Sequence, residues 1–141
     1  MINELFEKLE FLEKDIAHEK GDFSLFGLFL REDARDRWDL IVAAPWIDAD
    51  NMENLSYIAN KVKTFLKDRE LLLISRIVLL DLNDPIVQTI NKNWRVQRGG
   101  SIGLNNPQIF GLPFQYAYII ISHNGKPVLV NVGKRRLRQT L

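Results

Sequence analysis

Aspartate is the residue type through which this sequence could do chemistry. Asp22, Asp48, Asp50, Asp81 and Asp84 stand at the boundaries of apolar runs, and REDARDRWDLIVAAPWIDAD at 31–50 sets one such run between two charged ends. Carboxylates held at the ends of rigid strands suit Mg²⁺ or Mn²⁺, hard cations that take oxygen ligands and organise phosphoryl or nucleotidyl transfer. Asp22, Asp48 and Asp81 are the candidate metal ligands under that reading. Asp50 and Asp84 have a plainer use, because each stands before a helical pattern where its side chain can cap free N–H groups. Asp39 is the only charge inside 38–44. A buried carboxylate needs a cationic partner, so Asp39 is assigned to a structural ion pair with Arg37, with Arg31, Arg35 and Arg76 also in range.

Other chemistry has little material. The chain has no cysteine and two histidines, which rules out a thiol nucleophile, a zinc-thiolate site and a disulfide framework. His18 sits at the end of a helical pattern. Ser122 and His123 are strand neighbours pointing to opposite faces, so they form no dyad. RGGSIG at 98–103 could form an anion-binding nest of backbone N–H groups, but it lacks the Lys-Ser/Thr of a phosphate loop; a flexible turn is the simpler reading. Trp46 is an aromatic at the aspartate edge, assigned as a loop anchor. No catalytic residue is assigned. Lys134, Arg135, Arg136 and Arg138 form a basic tail, 134–141, that could touch nucleic-acid phosphates. No aromatic is interleaved with them to stack bases.

Gly27 and the later DLIV resemble, in spacing, the nucleotidyltransferase pattern of a Gly-Ser turn followed by a D-x-D strand. Leu28 stands where the serine belongs, and Asp39 has no carboxylate two places away. No membership is drawn from it.

The elements that would position these residues follow from periodicity. Ile2, Leu5, Leu9, Leu12 and Ile16 make one helical stripe over 3–20, widened by Phe6 and Phe11, with Gly21 as its stop. Residues 23–30 and 38–44 are apolar on both alternating faces, as strands buried on two sides are. Their short polar link predicts an antiparallel hairpin. Gly27 marks a bulge or a close neighbouring backbone. A helix over 51–68 follows, with Asp50 as N-cap and Glu53 completing a capping box. LLLISRIVLLDL predicts a strand near 73–81, again buried on both faces. Asn83 or Asp84 caps the next helix, with Pro85 in its first turn. Residues 95–98 read as a short strand, 99–114 as a long irregular loop, and 116–132 as a hairpin turning at Asn124-Gly125.

The expected fold is therefore α+β: a single domain over 1–141, a mixed β-sheet containing a βαβ unit, about three helices packed on it, and a C-terminal β-hairpin. Parallel strands in the βαβ unit bring the five aspartates to one end of the sheet and leave REDARDR at the other. At 46% apolar and 26% charged, with no run of roughly 18 apolar residues and an acidic N-terminus, the chain reads as soluble and cytoplasmic, without a membrane partner. Its net charge of +1 creates no global field for nucleic acid. With no assembled catalytic set, the favoured function is a non-catalytic protein-interaction or self-associating module, a homo-oligomer or binder of a protein partner, without cofactor. The apolar hairpin 116–132 is the expected interface. The alternatives are an Mg- or Mn-dependent transferase using the aspartate edge, and a nucleic-acid-binding protein using the basic tail.

Overall fold

The N-terminal stripe forms helix α1 (Ile2–Lys20), and Leu5, Leu9, Leu12 and Ile16 are fully buried. Gly21, at φ +120°, ends it by returning its N–H to Ala17 O at 2.9 Å, a conformation glycine adopts without strain. Phe11 departs from expectation. It is 66% exposed, because it lies beside the stripe and not in it.

This computed structural model describes residues 2–33, 35–109 and 112–123. After α1 come β1 (Leu25–Arg31), β2 (Trp38–Ala43), α2 (Met52–Phe65), a one-turn α3 (Asp68–Leu71), β3 (Ile74–Leu79), α4 (Pro85–Asn93), β4 (Ile102–Asn105), β5 (Gln108–Ile109) and β6 (Leu112–Ser122). The strands run in the order β3-β2-β1-β6-β4, with β5 paired to the start of β6. β1 and β2 are antiparallel and β2 and β3 parallel, so β2-α2-β3 is the expected βαβ unit. The fold is the α+β class with a mixed sheet, and β5 and β6 make its C-terminal hairpin.

Alternation along the strands divides the interior in two. Trp38, Leu40 and Val42 of β2 point with Phe26 and Leu28 of β1 into a core closed by α1 and α2. Ile41 and Ala43 point with Leu25 and Phe29 into a second core closed by α4 (Val87, Ile90) and by Val96 and Ile109. Every residue of β2 is buried, as its two-faced apolar run predicts. Gly27 has both expected features. The β1–β6 register shifts between Phe26 and Gly27, and a Cβ at Gly27 would meet Tyr118 O at 3.0 Å.

Four expectations need correction. The 51–68 helix is two elements, because Leu66 and Lys67 are extended and Lys67 N–H bonds Glu70 Oε1 at 2.8 Å to start α3. The N-cap of α2 is Asn51, whose Oδ1 accepts from Glu53 N at 2.8 Å; the helix starts one residue later than Asp50 would place it. The loop 99–114 contains β4, β5 and the start of β6, while 95–98 contributes only a bridge, Val96 to Ser122. Finally, β6 is interior: over Tyr116–Ile119 it pairs with β1 on one side and β4 on the other. The second arm of the 116–132 hairpin lies outside the described residues.

Candidate functional site

The parallel β2 and β3 do bring aspartates to one end of the sheet, but Asp22, Asp48, Asp81 and Asp84 each have a local partner. Asp84 caps α4, accepting from Ile86 N at 2.8 Å, and Pro85 follows it as the first helical residue. Asp48 Oδ1 accepts from Asp50 N at 3.0 Å, closing the turn into α2. Asp81 Oδ1 accepts from Ala49 N at 3.4 Å, a long bond that joins the β2 and β3 ends. Asp22 lies 3.6 Å from Arg98 Nη2. Among the described residues, no group of three or more His, Asp or Glu side chains is placed to hold a metal ion. Trp46 anchors its loop as expected, its Nε1 donating to Gly21 O at 2.9 Å. Lys134, Arg135, Arg136 and Arg138 lie outside the described residues.

Asp39 is 1% exposed and makes its ion pairs with Arg31 and Arg76, not with Arg37. Strand register explains the choice. Arg76 stands opposite Asp39 on β3, and Arg31 is two residues beyond Phe29, Asp39's partner on β1. Both therefore share Asp39's face of the sheet, whereas Arg37 is exposed in the connection. The two Nε atoms meet Asp39 Oδ2 at 3.0 and 3.1 Å, and Oδ1 is buried without a partner.

A second carboxylate centre, absent from the expectations, lies on α1. Glu13 is fully buried and takes a bidentate pair from Arg98, Nε to Oε1 at 3.0 Å and Nη2 to Oε2 at 2.7 Å. This pairing raises the affinity of the guanidinium for its proton still further. One turn earlier, Glu10 accepts from Ser101 Oγ at 2.9 Å and from the Tyr118 hydroxyl. Burial and that bond both push the Tyr118 pKa up. RGGSIG is thus clamped onto α1: its arginine is spent on Glu13, and Gly99, at φ +88°, makes the turn between the two anchors. Open grooves of about 550 and 230 Å³ flank the exposed Phe11 beside this clamp. The sequence signal for the clamp was weak, since its partners lie 85 and 91 residues apart.

The least expected surface is β3. Of the eleven residues Leu72–Leu82, eight are apolar, yet none is buried. Leu72 is 71% exposed and Leu82 38%. The run reads as a strand in the middle of a sheet but ends the strand order among the described residues. Its inward side is set by Leu80 N–H, which bonds Val42 O at 2.9 Å. Alternation then turns the N–H and C=O groups of Ile77 and Leu79 outward. The side chains of Ile77 and Leu79 lean on the first core and those of Val78 and Leu80 on the second. The strand's one charge, Arg76, is drawn to Asp39.

No helix of the described residues is long and apolar enough to cross a membrane. Comparison of the chain with family models, curated proteins and solved structures finds no match. The site is therefore defined by its own residues: β3, an apolar strand that ends the sheet order among the described residues.

Proposed function

We propose that the chain is a non-catalytic protein-interaction module whose working surface is the β3 edge, where it accepts an extended strand from a protein partner. One observation carries this reading: Leu72–Leu82 holds eight apolar residues around the strand Ile74–Leu79, and none of them is fully buried. An edge of that kind offers a row of backbone donors and acceptors to another chain, and proteins that do not use such edges blunt them. Main-chain hydrogen bonds at Ile77 and Leu79 supply affinity, and the flanking Leu72 and Leu82 supply apolar area. The interface expected from the sequence at 116–132 moves to β3 in this reading, because β6 is already paired on both sides over Tyr116–Ile119.

The test is capture of binding partners by the immobilised chain, with Leu79→Pro and Leu72→Glu as comparisons. Leu79→Pro removes an outward N–H, at a position where an edge strand tolerates proline. Leu72→Glu alters a residue already exposed, so folding is unaffected. Partners held by the native chain are expected to be lost from both variants, whose circular dichroism stays native. Equal capture by all three would contradict the proposal.

A further inference from the structure

The geometry of β3 points to its occupant: a second copy of this chain, paired antiparallel about a two-fold axis at Val78. This rests on the reading of β3 as the working edge and names the strand that fills it.

Symmetry and register supply the argument. Two identical edges related by a two-fold axis perpendicular to their strands must run antiparallel, each residue i meeting j while j meets i. Beyond Arg76 the strand's outward backbone groups belong to Ile77 and Leu79, because the β2–β3 register shifts between Trp38 and Asp39 and displaces the alternation before Arg76. An axis at Val78 sets Ile77 against Leu79 of the second copy, and Leu79 against its Ile77. The N–H and C=O groups of Ile77 and Leu79 in each chain then find partners. An axis at Arg76 would oppose two arginines directly, a destabilising like-charge pair. An axis at Ile77 would leave Leu79 against Ser75, where the shifted backbone no longer faces outward.

The side chains agree with the Val78 axis. Ile77 meets Leu79 on one face, and Val78 meets its own copy on the other, so no charge lies at the centre. A ten-strand sheet then runs through both copies, five from each along the main path.

The absence of native cysteine gives a register-specific test, since a single introduced thiol can pair only with its own copy. Facing Val78 residues form a non-hydrogen-bonded pair with Cα atoms about 4.5 Å apart, inside the disulfide range of about 4.4–6.8 Å. Two Ile77 residues would lie about 8 Å apart, outside that range. Under mild oxidation, Val78→Cys is expected to give a covalent dimer and Ile77→Cys to stay largely uncross-linked, because its Cα atoms lie outside disulfide reach. Light scattering of the native chain at tens of micromolar is expected to show a dimer, and Leu79→Pro a monomer.

Equal cross-linking of the two cysteine variants would overturn the register. A native monomer at that concentration would overturn the second copy as occupant. If that monomer still captures partners that Leu79→Pro loses, the edge remains the working surface and only its occupant is wrong. A dimer untouched by Leu79→Pro would overturn both.

Discussion

Among the described residues, strands β4 and β3 stand at the two ends of one sheet, and they treat their free backbone groups in opposite ways. β4 is four residues long, with alternating half-buried and exposed positions and Gly103 in its middle. The Tyr116 hydroxyl occupies the space a side chain would take at Gly103. The segment leading into β4 is clamped to α1 through Arg98–Glu13 and Ser101–Glu10. β3 is longer, continues as apolar sequence at both ends, and carries one charge that is neutralised from within the sheet. A short, tied strand is the usual way to blunt an edge, and a long apolar one is the usual way to offer it. Under the proposed function, the difference teaches that the two ends serve different purposes: β4 ends the sheet, and β3 is where a partner strand extends it.

The largest effect that sharpens this contrast belongs to the tied edge. Arg98→Met leaves Glu13 buried without its cation, which costs about 3–5 kcal/mol. Urea unfolding should show that loss while the oligomeric state, fixed at the other edge, stays unchanged. A change in oligomeric state would blur the distinction between the edges. Next come the aspartate-end caps. Asn51→Ala and Asp84→Ala should each cost about 1 kcal/mol, and Asp50→Ala less than about 0.5 kcal/mol, as a surface change does. Equal losses at all three would place the start of α2 at Asp50 after all.

At β3 the effect on stability is smaller. Arg76 is 59% exposed in its side chain, so Arg76→Met should change unfolding by no more than about 1 kcal/mol. It should tighten self-association, because the edge loses its one charge. Weaker association would contradict the open-edge reading. The smallest effect concerns pH. The Lys8 ammonium, then the Lys67 N–H, hold the Glu70 carboxyl below the ordinary glutamate range. Its contribution to stability is therefore complete above pH about 4.3, the ordinary glutamate value, and is lost as pH falls through its lower folded value. Glu70→Gln should flatten the acid limb of a stability profile slightly and leave the neutral range parallel to the native curve. An unchanged acid limb would remove Glu70 from that role.

How legible these features were in the sequence depended on how local their causes are. Gly21, Gly27, the Asp84-Pro85 start of α4 and the two-sided burial of β1 and β2 all follow from neighbouring residues, and all were readable. The depth of β3 was not. An apolar run shows that a strand has two apolar faces, but a sheet edge is a third direction that side-chain alternation never samples. The signal that was present is Ser75-Arg76 in the middle of LLLISRIVLL, a polar pair that interrupts the two-faced apolar pattern of a central strand. Asp39 was rightly seen to need a cation. Its choice of Arg31 and Arg76 over Arg37 was set by cross-strand register, which chain proximity does not reveal. Nothing near Glu13 in the sequence marks it as buried, because its partner lies 85 positions away. The candidate ligands Asp22, Asp48 and Asp81 drew attention because strand ends gather aspartates; turn-closing and capping draw them there as well.

The most direct measurement is amide hydrogen exchange at Ile77 and Leu79, compared with the inward-facing Leu80, over a range of protein concentrations. If β3 is the pairing edge, Ile77 and Leu79 are protected at high concentration and become fast on dilution, while Leu80 stays protected throughout. Fast exchange of Ile77 and Leu79 at every concentration and with every captured partner, or protection that persists in the monomer, would contradict it.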